Sequence, residues 1–535
     1  MLLDQPPPAG AATPAPPTAL SPLKHLAFRM LWATWLVANT CMWMNDVAAA
    51  WLMTSLATSP LWVALVQSAS TLPVLLLGLP SGALADMLDR RRFLIATQLW
   101  VAAVACLMCL TLWMGWMNAP ILLALTFANG VGLAMRWPVY AAVVPELVPR
   151  HEMAPAVALN GVAMNASRIA GPLIAGTLIA AAGSGWVFGL NAVLSIVAAF
   201  VLMRWKRPHT PSPLGNEPLG KAMRVGVQFV RQSPQLKGTL LRVAIFFFHS
   251  TALLALLPLV ARGLKGGDAG SYTLLLAAMG SGAIVAALQL QRIRQWLPRE
   301  QLLLAGAALQ SVCTVIVAFA PGLHVALPAM FVAGTAWITV ANTLTVSAQM
   351  ALPDWVRARG MATYQMAIMG SSALGAALWG QVSSMSSIHT GLAVAAVSGT
   401  LVMLAGQRWL PHQALEEDLS PSNVFKAPVA QEVPTQGHIQ VQIEYRIDPA
   451  QAADFRALMR ESRSSRMRQG ALSWDLLHDV TDPGRYIEQI TDTSWTEHLR
   501  RFDRVTAGDV ALRDRKLAFH LGELPPLVTR CVVER

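Results

Sequence analysis

The stretch "LPVLLLGLPSGALADMLDRRR" (Leu72–Arg92) decides the fold. It begins as an apolar run and ends with two aspartates and three arginines in seven residues, Asp86 to Arg92. Such a boundary marks a helix leaving hydrocarbon for water, since charges are costly inside a bilayer and cheap at its surface. The whole chain repeats this pattern. Of its 535 residues, 54% are hydrophobic and only 13% charged, about half the charge of an ordinary soluble domain. The mean hydropathy is +0.47. Charge is sparse over long stretches and dense in the last hundred residues, the mark of a membrane protein with a soluble tail.

Crossing the hydrocarbon core takes about 20 mostly apolar residues. Twelve such spans fit between Arg29 and Leu410: 29–56, 60–84, 93–115, 119–147, 155–182, 185–204, 240–262, 271–291, 300–320, 323–351, 361–383 and 388–408. The basic residues then fall on one side. Lys24 and Arg29 precede span 1, and Arg90, Arg91 and Arg92 follow span 2. Arg150 follows span 4, and seven Lys or Arg lie between Arg204 and Lys237. Arg292, Arg294 and Arg299 follow span 8, Arg357 and Arg359 follow span 10, and Arg408 closes span 12. The opposite loops are nearly uncharged; Arg262, Lys265 and Asp268 are the exceptions. The positive-inside bias makes the basic side cytoplasmic, with both termini there, as for a multi-pass protein of a bacterial inner membrane. The net charge of +11 is thereby topological, and nucleic acid is not an expected partner.

The chain also repeats internally. "VPRHEMAPAVALNGVAMNASRIAGPLIAG" (Val148–Gly176) aligns with "LPDWVRARGMATYQMAIMGSSALGAALWG" (Leu352–Gly380), matching Pro149 with Pro353, Gly171 with Gly375 and Gly176 with Gly380. The expected fold is therefore an all-α polytopic bundle of two six-helix halves, 23–205 and 239–410, joined by a basic loop over 206–238. Parallel halves around a substrate path are a transporter architecture. A Pro/Ala-rich tail, 1–22, is expected to be disordered and cytoplasmic.

The loop after span 2 resembles that of the major facilitator superfamily, which carries G-x-x-x-D-[RK]-x-G-[RK]-[RK] there. Gly82, Asp86, Arg90 and Arg91 match; Met87 replaces a basic residue and Asp89 a glycine. The resemblance implies that Asp86 docks on the start of span 11 and latches the halves together. Free N–H groups and a partial positive charge at a helix N-terminus favour a carboxylate there. Exporters of that superfamily carry G-x-x-x-G-P-x-x-G-G in span 5. This sequence has Ser167, Gly171, Pro172, Ala175 and Gly176 at those positions, where small residues allow close helix contact and proline bends the helix. The resemblance implies export, and the first six spans are similar to the drug and siderophore efflux group that includes the enterobactin exporter.

Ionisable groups within spans are candidates for function. Asp46 lies in span 1, Arg136 in span 4 and Arg168 in span 5. We expect Asp46 to exchange protons, with Arg168 as its partner or as a substrate anchor. A static ion pair is the competing reading for Asp46 and Arg168, and snorkelling to the interface for Arg136. Trp32, Trp35, Trp43, Asn45, Gln67 and Trp137 are candidates for an amphipathic pocket suited to a siderophore or a lipophilic drug, and His249 reads as a satisfied polar residue. Cys106 and Cys109 read as packing. The sequence calls for no metal or cofactor, and no phosphate-binding G-x-x-x-x-G-K-[ST] occurs.

After a polar linker, 411–437, the segment 438–535 reads β-α-β-β-α-β, the ferredoxin-like order. It resembles the small dimeric α+β barrels related to antibiotic-biosynthesis monooxygenases through Trp474, "DPGRYIEQITDTSWTEHL" with His498, and Phe502. Trp474, His498, His478 and Tyr445 are its candidate site residues, without metal-ligand spacing or a nucleophile. The expectation is a regulatory, ligand-sensing or dimerising module on a transporter. The competing reading is a membrane-tethered oxygenase acting through the tail.

Overall fold

The computed structural model describes residues 20–149, 152–205, 219–353, 355–409, 418–422, 424–425, 428 and 437–534. Among them, twelve helices of 20 residues or more form the bundle. They are α1 (Leu26–Leu56), α2 (Pro60–Met87), α3 (Arg90–Trp113), α4 (Ala119–Leu147), α5 (Met153–Ala182) and α6 (Ser184–Arg204). After the short α7 (Leu219–Gln232) come α8 (Pro234–Gly263), α9 (Ala269–Trp296), α10 (Arg299–Ala318), α11 (Leu323–Met350), α12 (Arg357–Met385) and α13 (Ile388–Trp409). Ten of the twelve are apolar enough to cross a membrane; α1 and α12 fall short. α1 carries Arg29 and Asp46, while α12 begins with two arginines and is rich in Gly, Ser and Gln. Both are packed inward, α1 against α5 and α6, α12 against α2 and α8.

Local chemistry sets the helix boundaries. Pro60, Pro120 and Pro234 stand in first turns, where a missing N–H costs nothing. Asn118 and Ser233 cap α4 and α8 by accepting from Ile121 N at 3.0 Å and Leu236 N at 3.3 Å. Asp89, which stands where the resembling motif has glycine, caps α3 by accepting from Arg92 N at 3.0 Å. Gly183, at φ +91, turns the chain between α5 and α6 in a single residue, a conformation that favours glycine.

The two halves interlock with the symmetry the repeat announces. Gly171 of α5 lies against Trp43 and Thr40 of α1; its counterpart Gly375 of α12 lies against Phe248 of α8. Gly176 of α5 meets Thr273 of α9 across the halves, and Gly380 of α12 meets Ala64 and Leu61 of α2 across the halves. These crossings stand toward the sparsely charged end. There a single apolar cluster draws on both halves, from Met44, Val47 and Val63 to Leu253, Tyr272 and Trp379. At the basic end the core divides. One cluster, with Phe28, Trp35 and Tyr140, belongs to the first half; another, with Phe247, Leu344 and Tyr364, belongs to the second. The bundle shares one apolar core at one end and has two at the other, where α2 and α12 still meet through Gly78 and Met366.

The stretch read from sequence as a loop over 206–238 contains α7, an amphipathic helix whose Phe229 is buried in the apolar cluster of the second half. Residues 1–19 and most of 411–436 lie outside the described residues. In the tail, β1 (His438–Arg446), α14 (Ala452–Arg468), β2 (Ser473–His478), β3 (Arg485–Asp492), α15 (Trp495–Asp503), α16 (Ala507–Leu517) and β4 (Leu527–Val533) build a four-stranded antiparallel sheet. Its order is β2-β3-β1-β4. Alternating residues Ile439, Val441, Tyr445, Tyr486 and Ile490 face a core with Phe455, Met459 and Trp495. The tail rests on α7. Gln228 Nε2 donates to Ala471 O at 2.7 Å, and the Arg504 guanidinium lies 5.0 Å from the Trp355 ring. Gly470, at φ +107, ends α14 where a Cβ would strike Arg504 and Val225 of α7.

Because a Cβ at Gly380 would come within 2.5 Å of Ala64 Cβ, Gly380→Val should overpack the α2–α12 crossing. The expected cost is about 1–3 kcal/mol, read as a lower unfolding midpoint of the purified protein in detergent.

Candidate functional site

Between the halves lies a cavity of about 90 Å³, room for a few waters and not for a bulky solute. α1 contributes Trp43 and Asp46, α2 Gln67 and Ser70, α5 Arg168 and Pro172, α9 Tyr272 and α11 Trp337. The sequence names five of these, Asp46, Arg168, Trp43, Gln67 and Pro172, and the fold brings all five to one place.

Arg168 is the centre of the site. Its guanidinium sits 5.2 Å from the Trp43 ring centroid and 4.3 Å from that of Trp337. Trp43 and Arg168 belong to one half and Trp337 to the other, so a cation–π sandwich ties the halves together in mid-bundle. Gly171 sets the near side, since its missing side chain lets Trp43 settle on α5. Pro172, one residue on, lacks the N–H that would bond the Arg168 carbonyl and so loosens the helix at this turn. Asp46 lines the same cavity, yet among the described residues no hydrogen bond or ion pair within 4.0 Å joins it to Arg168. The arginine is held by aromatic faces, not by the carboxylate expected as its partner. Trp337 follows the small residues Ala333, Gly334, Thr335 and Ala336. That run signals close helix contact, but no motif marks the tryptophan from sequence alone.

The sparsely charged end explains Arg262, an exception to the charge rule. From the end of α8 it donates from Nη1 to Thr54 O of α1 at 2.5 Å and lies 5.3 Å from the Trp51 ring. Trp51 stacks on Tyr272 of α9 at 6.0 Å. Ser59 and Ser384 share a hydrogen bond of 2.9 Å nearby. This clasp closes the cavity on that side.

Other sequence candidates lie elsewhere. Arg136 is buried at 6% exposure and does not snorkel; it lines a separate, small cavity inside the first half. Its guanidinium lies 5.5 Å from the Trp35 ring. One indole face offsets about 0.5–2 kcal/mol, less than the roughly 2.5–3.5 kcal/mol that an arginine at the centre of a span costs. Trp35 stacks on Tyr140 at 3.9 Å and leans on Trp137. Trp32 Nε1 donates to Leu159 O at 3.0 Å, so these three tryptophans build the core of the basic end and not the cavity. Asn45 is fully buried, its amide atoms unpartnered. His249 holds Ile245 O at 2.7 Å through Nδ1, a satisfied polar group as expected. The latch at Gly82 and Asp86 falls on residues whose side chains lie outside those described. Arg91 reaches instead for the carbonyls of Met203 and Leu202 at the end of α6.

In the tail, Trp474 and His498 belong to two different buried networks. Trp474 Nε1 donates to Glu488 Oε1 at 2.9 Å, and Ser462 Oγ (2.8 Å) and Lys516 Nζ (3.2 Å) donate to the same carboxylate. Burial alone would raise the Glu488 pKa. Lys516, Arg466 and the two neutral donors overcome it and hold the carboxyl well below its ordinary range. Burial lowers the Lys516 pKa to about 8 even beside that carboxylate. His498 Nδ1 hydrogen-bonds Asp492 Oδ2 at 2.8 Å, and Arg530 Nε donates to His498 Nε2 at 3.2 Å. Both side chains serve the packed interior, and among the described residues no group of three potential ligands could hold a metal.

A family described as transmembrane secretion effector matches residues 17–535, bundle and tail together. The chain belongs to this family. Among relatives, the MFS-type transporter YfiS of Bacillus subtilis is 29% identical over 215 residues, 38% of this chain and 49% of that one. The staphyloferrin A transporter of Staphylococcus aureus is 23% identical, covering 48% of this chain and 64% of its own length. The macrolide efflux protein A of Streptococcus pyogenes is 21% identical, covering 55% and 74%. The chain thus spans about half to two thirds of the first two. In fold it is similar to a D-xylose–proton symporter (TM-score 0.59, 14% identity, 72% of this chain and 98% of that one) and to a bacterial homolog of the human lysosomal transporter Spinster (TM-score 0.58, 15% identity, 73% and 96%). The family and its relatives are major facilitator transporters.

Removing one partner of a buried charge strands the other. Lys516→Met should therefore cost the tail about 3–5 kcal/mol, seen as faster deuterium exchange in β1 and β3 of the full-length protein. The acid limb has a defined sign. Glu488 binds its proton less readily folded than unfolded, so its contribution is complete above its ordinary value of 4.5 and is lost as pH falls below it. The protection factors of the same strands, which discount the intrinsic slowing of exchange in acid, should fall as pH drops below about 4.5 in the parent and less steeply in Glu488→Gln.

Proposed function

We propose that this protein is a secondary active exporter that moves a small amphipathic molecule, a siderophore or a drug, out of the cytoplasm by alternating access, in exchange for protons. On this reading all twelve long helices span the membrane. The basic end faces the cytoplasm by the positive-inside bias, so both termini lie there, in a bacterial inner membrane. The observation that carries the reading is the asymmetry of the bundle: one shared apolar cluster and the Arg262 clasp at one end, two separate clusters at the other, and a cavity holding Asp46 and Arg168 between them. That asymmetry supports a passage that opens toward the basic end.

The cavity is too small for a bulky solute, so loading requires Trp337 to withdraw from Arg168. A substrate bearing both an aromatic face and an anionic group replaces both partners at once, the indole on the cation and the cation on the indole. The relatives that carry staphyloferrin A or macrolides in their names support a bulky cargo. Asp46, in the same chamber, changes its surroundings as the halves rock. It takes a proton from one side and releases it to the other, its affinity set by how much water the chamber admits. The exporter motif serves this cycle through Gly171, which seats α1, and Gly176, which seats α9. Asp86, Arg90 and Arg91 form the latch that closes the basic end when the cavity turns outward. The tail, β-α-β-β-α-α-β with its strand order, is a ferredoxin-like regulatory module docked on α7.

The decisive test is pH-gradient-driven efflux from proteoliposomes loaded with a macrolide or a citrate-type siderophore. Asp46→Asn should abolish accumulation driven by the gradient while sparing substrate–substrate exchange. Undiminished gradient-driven efflux in that variant overturns the coupling role, and no efflux of either compound by the parent overturns the substrate class.

A further inference from the structure

Within the first half, away from the passage, lies a second cavity of about 10 Å³ between α1, α3, α4 and α6, the size of one water or one monatomic ion. Its walls combine Ala38 and Met42 with Asn129, Arg136, Asn191 and Ser195. The polar set surrounds a cation with two amides and a hydroxyl. Arg136 is 6% exposed, its Nε is buried without a hydrogen-bond partner, and among the described residues no carboxylate lies within 4.0 Å of its guanidinium. Asn129 and Asn191 are 8% and 1% exposed. Ser195 Oγ donates to Asn191 Oδ1 at 3.2 Å, which occupies the acceptor of that amide and leaves its NH2 to the cavity. The ring of Trp35 covers one face of the arginine but falls short of the cost of burying its charge.

We propose that this cavity is an anion site that holds a single monovalent monatomic anion, chloride in the cell, as the counter-charge of Arg136. A positive charge with an unpartnered N–H, amide groups beside it, no carboxylate within 4.0 Å among the described residues and space for one small ion suits a halide. A cation is repelled, and a carboxylate or phosphate exceeds the space. The bound ion ties α4 to α6 through the Asn191 amide, which Ser195 orients, and to α1 through the arginine that lies on Trp35, and so holds the first half as one rigid body while it rocks. The site stands apart from Asp46 and Arg168, and its test does not depend on transport.

The test is thermal unfolding of the full-length protein in detergent, with chloride exchanged for gluconate at constant ionic strength. The midpoint should rise saturably by a few degrees with chloride and with bromide, and remain flat with acetate. Arg136→Met should remove the response. Asn129→Leu, which keeps the arginine and fills the cavity, should remove it as well and covers the case in which Arg136→Met does not fold. Crystals grown in bromide should show one anomalous peak between Arg136 and Asn191. A midpoint indifferent to chloride, an equal response to acetate, an unchanged response in Asn129→Leu, or bromide crystals without that peak each overturns the assignment.

Discussion

A positive charge in the middle of an apolar bundle must be answered by something, and in this protein that demand organises the passage. Among the described residues Arg168 has no carboxylate within 4.0 Å; two indoles answer it, one from each half. The contact is therefore also a measure of whether the halves are together. Indole faces are the right counterpart for a device that must open, because their attraction is modest, about 0.5–2 kcal/mol each. A desolvated ion pair would resist separation far more strongly. Gly171 and Pro172 belong to the same arrangement: one admits Trp43, the other softens the turn that carries the arginine.

The small residues of α5 and α12 supply the complementary constraint. Lipid gives helices little hydrophobic reason to associate, so close backbone approach and dispersion hold them together. Gly176 and Gly380 place that approach at the sparsely charged end, where Arg262 and the stacked Trp51 and Tyr272 finish the seal. The tight seam there and the parted cores at the basic end are two aspects of one pivot.

Most of the architecture was legible in the sequence because apolar length and charge placement are coarse, redundant signals. All twelve long helices fall within a few residues of their expected limits, and the repeat announced which glycines would occupy equivalent contacts. The site was legible by half. Asp46, Arg168, Trp43 and Gln67 stood out as polar or aromatic groups in spans of the first half. Trp337 and Tyr272 come from the second half, where nothing but tertiary packing distinguishes them from other aromatic residues. The pairing of Asp46 with Arg168 rested on charge alone and did not anticipate that aromatic faces would take the arginine. α7 was hidden because its glycines and basic residues read as loop, while its apolar face is only useful once α14 and the start of α12 are there to receive it. In the tail, the strands alternate cleanly, but Trp474 and His498 looked like site residues because buried polar networks use the same residue types as catalysis.

The seat of the tail has a mechanical consequence. Its described supports are α7, whose Phe229 packs into the second half's cluster, and Trp355 of that half, so in the proposed cycle the tail travels with that half as a rider on a rocking beam. In the proposed cycle, whatever grips the rider takes hold of the beam at its far end, where a slight bias in position becomes a preference for one orientation of the halves over the other.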